Sequence, residues 1–413
     1  MRCVVHLDPR YAWSEEQYKG LTLRYTGRRA SVFSAATMLD ADSPPLLQTL
    51  DAGLAALPGH YAACISGKDW TLLLADKVSS YSLFYAVGDG HVEVSNSARL
   101  LAVRCGLAKP DREALTEFRM AGYVTGSDTL VTGLAKLQAG EVALCGPSGL
   151  ERCRYYQFYS PAVRMTPEWK LIEELEEVTN AVFDRVIEDL HGRRIIVPLS
   201  GGLDSRVVLC KLKERGARDM LAFSYGSPGN REALAAKDVA CRLDVPWEFV
   251  PTSWNEARRI FYSDLRRQYW RYADQLHIVP NLHTFYSLAT LFEQERLSGN
   301  PVFVNGQSGD FICGNHIPDI PATEAEQESF IRAIAAKHYS HNRVLSKELH
   351  FLEFVALRVK KVLGDLFPMP DLQELAKFWE LWEWQARQSV RVVHGQRNYD
   401  FFGSGWELPL WEV

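Results

Sequence analysis

The sequence predicts two domains, a strand-rich α+β domain over residues 1–162 and an α/β domain with a parallel sheet over residues 163–413. Residues 1 to about 160 contain short apolar runs separated by Gly- and Asp-rich turns. From residue 166 onward, runs of strand length alternate with segments of helical periodicity. A chain of 413 residues is long enough for two or three domains with separate cores.

The elements follow from these patterns in chain order. Apolar or alternating runs predict strands at 3–7, 60–65, 70–75 and 83–87. Thr166 before Pro167 predicts a helix start, with the hydroxyl as N-cap and proline at the first helical position. Helical spacing then continues through Ile172, Leu175, Val178, Val182, Val186 and Leu190. Strands at 195–199, 221–225 and 247–250 alternate with helices at about 204–215 and 230–243, so the ligand is expected beyond the carboxyl ends of a parallel sheet.

The run from Ile195 to Ser205 carries the clearest chemical signal, because an apolar strand passes directly into a Ser-Gly-Gly turn. Two glycines allow backbone N–H groups to approach an anion, and the hydroxyls of Ser200 and Ser205 add donors at a helix N-terminus. Asp204 would bring a carboxylate to Mg²⁺ on a phosphate chain. The alternative is a turn that uses glycine only to change direction, and the full Ser-Gly-Gly-Leu-Asp-Ser run favours nucleotide binding.

That hexapeptide resembles the pyrophosphate loop of the ATP-pyrophosphatase enzymes, and its surroundings resemble the asparagine synthetase branch. The resemblance implies an adenine nucleotide α-hydrolase-like domain that binds ATP and Mg²⁺, adenylates a carboxylate, and passes it to an amine or ammonia. It also implies that adenine lies against Ser224, Tyr225 and Gly226. A kinase or GTPase is disfavoured, because the chain lacks Gly-x-x-x-x-Gly-Lys-Ser/Thr. The predicted nucleotide-binding residues are Leu199, Ser200, Gly201, Gly202, Leu203, Asp204, Ser205, Ser224, Tyr225, Gly226, Gly306 and Gly309.

A second strand, Val302-Phe303-Val304, runs into Asn-Gly-Gln-Ser-Gly-Asp and resembles the family's Gly-Glu-Gly-Ala-Asp-Glu segment. By that resemblance Asp310 is the second magnesium carboxylate. The family's acid is replaced by Gln307, which cannot act as a base but can orient an amine or a carbonyl. Aspartate is therefore not expected as the acceptor.

Near the C-terminus, residues 406–412 resemble a variant of the family's Glu-Ala-Arg-x-Pro-Phe-Leu-Asp motif. Counting back from that motif, the resemblance places Arg397 near a family lysine that stabilises charge on the leaving pyrophosphate, a role that arginine can fill. The alternative for Arg397 is a solvated helical face. His283 and His316 are candidates for lining the acceptor pocket.

The first domain resembles the glutaminase domain of asparagine synthetases at residues 59–63, 74–77 and 82–85, which implies an Ntn-hydrolase-like sandwich. That glutaminase needs an N-terminal cysteine whose α-amine assists the thiol. Here the chain begins Met1-Arg2-Cys3, and arginine at position 2 is expected to prevent removal of the methionine. The family's glutamine-binding motifs are also absent. We therefore expect no glutaminase activity, and Cys3 is interpreted as a small buried apolar residue.

The leading functional prediction is an AMP-forming, ATP-dependent carbon–nitrogen ligase acting on a small-molecule or sugar carboxylate, with ammonia or an amine as donor. Segments 307–312 and 398–403 resemble a subset of related proteins from surface-polysaccharide gene clusters, which suggests a uronic acid. One alternative is an intramolecular cyclase of the β-lactam synthetase or lasso-peptide type. Another is a catalytically lapsed regulatory subunit. Because the chain stops soon after the last motif, a partner protein is a further expectation.

The amino-acid composition narrows the remaining classes of protein and partner. With 47% hydrophobic and 23% charged residues, the chain has the composition of a globular protein. A net charge of −5 gives no reason to expect a nucleic-acid partner. The eight cysteines form no CxxC pair, so reduced thiols in the cytoplasm are expected rather than a zinc site or disulfides. The sequence shows no membrane span and no signal-peptide pattern.

Overall fold

The computed structural model describes residues 2–159, 164–190, 192–297, 299–319, 327–368 and 374–412. The predicted domain boundary at 162/163 lies outside these ranges.

The N-terminal part contains two sheets within the described residues. Its strands and helices are β1 (Arg2–His6), β2 (Ser14–Tyr18), β3 (Leu21–Gly27), α1 (Arg29–Thr37), α2 (Leu47–Ala55), β4 (Tyr61–Ser66), β5 (Thr71–Ala75), β6 (Phe84–Gly88), β7 (His91–Ser95), α3 (Ala98–Arg104), α4 (Arg112–Ala121), β8 (Ala135–Lys136), β9 (Glu141–Gly146) and β10 (Gly149–Arg154). One sheet has the strand order β1-β7-β6-β8, and the other has the order β10-β9-β5-β4-β3-β2. All four strands predicted in this part are confirmed to within one residue at each end.

Alternation along the strands builds the N-terminal part in four layers. On β4, Ala63 and Ile65 pack with α1 and α2, whereas Ala62 and Cys64 pack between the two sheets. Phe84 of β6 packs on the far side against α3. The order is therefore helices, sheet, sheet, helix, because successive strand residues point to opposite faces. Cys3 lies in the layer between the sheets.

The C-terminal part is built on a parallel sheet. Its elements are α5 (Glu168–Asp189), β11 (Ile195–Pro198), α6 (Leu203–Glu214), β12 (Met220–Gly226), α7 (Arg231–Arg242), β13 (Trp247–Pro251), α8 (Trp254–Phe261), α9 (Asp264–Ala273), α10 (Phe285–Glu293), β14 (Val302–Val304), α11 (Gly309–Ile312), α12 (Gln327–His338), α13 (Phe351–Leu363), α14 (Leu375–Glu383), α15 (Arg397–Phe401) and β15 (Gly405–Glu407). The strand order is β13-β12-β11-β14-β15, and every neighbouring pair is parallel. The predicted parallel sheet with alternating helices is confirmed.

Helices cover both faces of this sheet. Val197 and Ala222 pack with α5, α6 and α7 on one face. Ile196, Phe223 and Phe303 pack with α10 and α15 on the other. Because β11 is buried on both sides, it appears in the sequence as a continuous apolar run.

Helix α5 differs from the sequence prediction at its start. The helix begins at Glu168, Pro167 is the N-cap in an extended conformation, and no side chain caps the helix. The Thr166 N-cap was therefore a wrong prediction, because proline occupies the capping position and not the first helical position. Its periodic apolar residues divide into two groups: Val182 and Val186 are buried, whereas Ile172, Leu175 and Val178 are exposed.

Helices α12, α13 and α14 form a separate helical layer that packs on the N-terminal part through Met120 and Tyr123. Beyond α14 the chain continues as a π-helical segment, Trp384–Val392, before α15. In the part of the chain that the structure describes, no helix has the length and apolar character needed to cross a membrane.

Candidate active site

The Ser200 loop joins β11 to α6 and holds itself in shape through its two hydroxyls. Ser205 Oγ accepts a hydrogen bond from the Ser200 backbone N–H at 3.0 Å and lies 3.1 Å from Ser200 Oγ. Ser200 Oγ also accepts from the Gly202 N–H at 3.2 Å. The first N–H groups of a helix have no partner inside it, so those that open α6 remain the donors for an anion. The predicted hydroxyls therefore order the loop as well as flanking its anion site.

A second loop, between β14 and α11, packs directly on the first. A Cβ atom added to Gly306 would lie 2.6 Å from the Asp204 carbonyl carbon and 2.7 Å from the Ser205 nitrogen. A Cβ atom added to Gly309 would lie 2.5 Å from Asp204 Oδ1. Both glycines are needed because no side chain fits between the two loops.

One of the two acidic residues predicted to bind magnesium, Asp204, lies at this contact, and the other, Asp310, follows Gly309 in the chain. Asp204 is half-buried in the first turn of α6, and its carboxylate adjoins Gly309, the residue before Asp310. Asp310 is exposed in the first turn of α11. Among the described residues, no group of three or more His, Cys, Asp or Glu side chains is placed to hold a metal ion. The metal-binding role of Asp204 and Asp310 stays a prediction.

A cavity of about 760 Å³ opens at the carboxyl ends of β11, β12 and β13. Five of the predicted nucleotide-binding residues line it: Leu199, Ser200, Ser224, Tyr225 and Gly226. This volume and position suit an adenosine group, because ligands of open parallel sheets bind at this edge. The remaining predicted loop residues lie beside the cavity, in the two packed loops.

Hydrogen bonds within the protein fix the cavity wall. Ser224 Oγ donates to the Leu199 carbonyl at 2.7 Å and accepts from Trp247 Nε1 at 3.0 Å, which ties β12 to its neighbours. The Tyr225 hydroxyl lies 3.0 Å from His283 Nδ1. Burial raises the pKa of Tyr225, so its hydroxyl stays protonated at neutral pH.

Sequence reasoning missed part of this wall. Asn230, Arg231, Thr252 and Tyr286 also line the cavity. Asn230 caps α7 by accepting from the Ala233 N–H at 2.7 Å. The signal was present in the sequence, because a helix that starts directly after the carboxyl end of β12 must begin at the same edge of the sheet.

Gln307 lies in the second loop and is held by a chain of amides. Asn305 Nδ2 donates to Gln396 Oε1 at 2.9 Å, and Gln396 Nε2 donates to Gln307 Oε1 at 2.5 Å. The side-chain carbonyl oxygen of Gln307 thus already accepts a hydrogen bond. Its side-chain NH₂ group is the part that could orient a substrate carbonyl. Its catalytic role stays a prediction.

Arg397 does not lie at the cavity formed by the carboxyl ends of β11, β12 and β13. Its guanidinium donates to the Ser80 carbonyl at 2.9 Å, pairs with Asp400 at 2.9 Å, and lies 4.8 Å from the ring centre of Tyr81. It lines a different cavity, at the opposite edge of the sheet. The geometry therefore gives no support to the prediction that it stabilises pyrophosphate, and the side chain is neither on a solvated face nor at the loops.

His316 and segment 398–403, both singled out in the sequence, make packing contacts inside the protein. His316 is buried and stacks on Phe311 at 4.5 Å, and burial lowers the pKa of its imidazole. In segment 398–403, Tyr399 stacks on Phe303 at 4.3 Å, and Asn398 Nδ2 donates to the Gly395 carbonyl at 2.8 Å. These contacts explain that segment without a substrate.

A family model described as asparagine synthase matches residues 130–391, more than half of the chain. The chain belongs to the asparagine synthase family. A comparison with curated proteins gives no match.

Similarity to solved structures is weak. An NH3-dependent NAD synthetase from Campylobacter jejuni is 13% identical with a TM-score of 0.27, over 50% of this chain and 92% of that chain. A glutamine phosphoribosylpyrophosphate amidotransferase from B. subtilis is 11% identical with a TM-score of 0.22, over 74% of this chain and 60% of its own. A glutamine-dependent NAD+ synthetase from Acinetobacter baumannii is 12% identical with a TM-score of 0.23, over 68% of this chain and 62% of that chain. This chain thus spans about three fifths of the last two proteins, and the family assignment does not depend on these similarities.

Proposed function

We propose that this protein is an AMP-forming, ATP-dependent carbon–nitrogen ligase that adenylates a small-molecule or sugar carboxylate and passes it to ammonia or an amine. The contact between the two glycine loops carries the proposal, because Gly306 and Gly309 pack against Asp204 and so bring the loop before Asp310 against the Ser200 loop at the carboxyl edge of the sheet. Membership of the asparagine synthase family supports the same class of reaction.

In this proposal the adenosine of ATP occupies the cavity formed by Ser224, Tyr225 and Gly226. The phosphates lie on the first N–H groups of α6, which suit anions by their orientation and by the helix dipole. Arg231 lines the same cavity and supplies a positive charge for the nucleotide. The carboxylates of Asp204 and Asp310 would hold Mg²⁺, which when bound neutralises charge on the β and γ phosphates.

The proposed reaction has two steps. A carboxylate oxygen attacks the α phosphorus, and the bond to the bridging oxygen breaks to release pyrophosphate. An amine then attacks the acyl carbon, AMP leaves, and the amine loses one proton. Gln307 is suited to orient the acyl group through its NH₂ group, and it cannot remove the proton itself.

The N-terminal part is proposed to be an Ntn-hydrolase-like domain that has lost glutaminase activity, with the boundary at 162/163. Its helix–sheet–sheet–helix layering supports this fold. Cys3 supports the loss, because it lies within β1, opposite Val92 of β7, and is packed between the two sheets. A thiol packed in a core is not placed to attack glutamine. Incubation with glutamine should release no glutamate, and glutamate release that disappears in Cys3→Ala would contradict this assignment.

ATP–pyrophosphate exchange with radiolabelled pyrophosphate tests the ligase proposal. The assay would use Mg²⁺ and a panel of uronic acids, amino acids and peptides. Exchange that requires one carboxylate is expected, and Asp204→Asn should lower it by about 100-fold because a magnesium ligand is lost. Asp238→Asn is the matched control and should keep full exchange, because Asp238 is an exposed acidic residue that pairs with Arg242 on α7.

The other outcomes distinguish the alternatives. Exchange with peptides alone would favour an intramolecular cyclase. Absence of exchange with every carboxylate, together with absence of ATP binding by calorimetry, would overturn the proposal and favour a catalytically lapsed subunit.

A further inference from the structure

A second cavity, of about 420 Å³, lies between the N-terminal and C-terminal parts. Arg193 precedes β11, Asn300 precedes β14, and Ser404 precedes Gly405, the first residue of β15, so this cavity lies at the amino ends of the parallel strands. The nucleotide cavity lies at their carboxyl ends. The two cavities are therefore on opposite edges of the same sheet.

The opposite wall comes from the N-terminal part. Residues 9–13 follow β1 and line the cavity together with Thr26, Tyr81 and Asn96. The Tyr11 hydroxyl donates to the Tyr272 carbonyl at 2.7 Å, which joins the two walls. A molecule in this cavity would contact both parts of the chain.

The lining has an excess of positive charge. Arg10 is compensated by Asp8, whose oxygens accept from its guanidinium at 3.0 and 2.6 Å. Arg397 is paired with Asp400. Arg193 donates only to neutral oxygens, of Asn300 and Pro301, and no described carboxylate lies within ion-pair distance of it. Among the described residues its guanidinium therefore has no ion-pair partner, and the Glu407 carboxyl interacts with it only at longer range.

Buried polar atoms in the lining also lack partners. Arg397 Nε and Ser404 Oγ are buried donors without a hydrogen bond, on residues that are 7% and 5% exposed. Asp400 Oδ2 contacts Arg397 but accepts no hydrogen bond. Unsatisfied buried polar groups are costly, and most native ones find partners. Two donors without hydrogen bonds, one carboxylate oxygen that accepts none, and a guanidinium without an ion-pair partner indicate that the cavity suits an anionic ligand.

We propose that this cavity binds a small anion that carries its own hydrogen-bond donor, such as a hydroxycarboxylate or a hydrogen phosphate. Its anionic oxygens would accept from Arg193, Arg397 and Ser404. Its hydroxyl would donate to Asp400. Because the cavity is remote from the two glycine loops, binding would accompany ATP binding without competing with it. The proposal does not depend on the ligase reaction.

Malate and succinate provide a matched pair of probes, because both are dianionic and they differ by one hydroxyl. Malate should raise the melting temperature of the full-length protein more than succinate does, since a ligand that binds only the folded state stabilises it. Inorganic phosphate is the third probe and distinguishes a phosphate site from a carboxylate site. Titration calorimetry should give the same malate affinity with and without saturating ATP.

Two variants assign the site. Ser404→Ala should weaken malate binding about tenfold through the loss of one hydrogen bond to an anion. Arg193→Gln should weaken it by more, whereas Arg194→Gln, whose parent side chain faces Asp219 outside the cavity, should not change it. The proposal would be overturned if none of the three anions bound. It would also be overturned by equal binding to Ser404→Ala, Arg193→Gln and the parent protein, or by competition between malate and ATP.

Discussion

Gly309 lies against the carboxylate of Asp204, so close that an added Cβ atom would be 2.5 Å from Oδ1. The two residues are on separate loops that follow different strands of the parallel sheet. Their contact fixes where the Asp204 carboxylate is held relative to Asp310. The proposed magnesium site therefore depends on the absence of a side chain at position 309.

Gly309→Ala is expected to disrupt this contact. Relieving a clash of that size requires a shift of the Asp204 side chain or of the loop, at a cost of about 1–3 kcal/mol. We expect ATP affinity, measured by calorimetry, to fall about tenfold or more. Gly146→Ala is the matched control, because a Cβ atom there would meet nothing within 4 Å and its φ angle is negative or extended. Equal ATP affinity in the two variants would contradict the proposed role of the contact.

Asp310→Asn should raise the magnesium concentration needed for half-maximal pyrophosphate exchange. Because Asp310 is exposed, its replacement is not expected to affect folding. Asparagine keeps one oxygen but loses the negative charge, which weakens a Mg²⁺ ligand. A magnesium titration of Asp310→Asn and Asp238→Asn separates this effect from a general loss of acidic charge. If the two magnesium curves coincide, Asp310 is not a ligand.

Local patterns in the sequence predicted the sheet and the first loop well. Strands β11 and β12 are short apolar runs with turn residues at both ends, a pattern that predicts buried strands. The loop contact could not be predicted, because it joins residues about 100 positions apart. Gly306 and Gly309 were chosen by resemblance, and only the fold shows that they touch Asp204.

Arg397 shows a different limit. Its position in the chain was counted back from a C-terminal motif, but successive residues of a helix point about 100° apart. Gln396 therefore faces Asn305 and Gln307, whereas Arg397 faces Ser80 and Tyr81. Helix α5 shows a similar limit. Its periodicity predicts an apolar face, but it does not predict which part of that face is buried: Val182 and Val186 are buried, whereas Ile172 is exposed.

Arg358→Met is expected to destabilise the protein by about 3–5 kcal/mol, since it leaves a buried carboxylate without its cation. Arg358 is 2% exposed on α13 and contacts Glu117 of α4 at 2.6 Å and Asp128 at 2.8 Å. Chemical unfolding in urea provides the measurement. Lys361→Met, on the same helix and also paired with Asp128, is half-exposed and should cost less than 1 kcal/mol, about the value of a surface pair.

A double variant tests the cause. Glu117→Gln combined with Arg358→Met removes both charges, so part of the lost free energy of unfolding should return. If the two single changes are additive, the loss comes from packing and not from an uncompensated charge.

The buried imidazole of His394 predicts that the protein loses stability in mild acid. Burial, reinforced by the positive charge of Arg397, lowers the pKa of His394 to about 3 from an ordinary value of 6.5. Between those values the unfolded chain binds a proton that the folded protein does not bind. The free energy of unfolding should therefore fall as the pH drops below 6.5, by at most roughly 1 kcal/mol for each pH unit. Above pH 6.5 this contribution is complete and constant.

His394→Gln should remove this dependence, because glutamine is polar but does not titrate. Urea unfolding from pH 7.5 to pH 4.5 should give a smaller slope of stability against pH for this variant than for the parent protein. His350→Gln, a change at a side chain that is 75% exposed, is the control and should keep the parent slope. Parallel curves for His394→Gln and the parent protein would assign the acid sensitivity to other groups, of which His277 is the nearest buried candidate, since its ring centre lies 5.9 Å from that of His394 and burial also lowers its pKa.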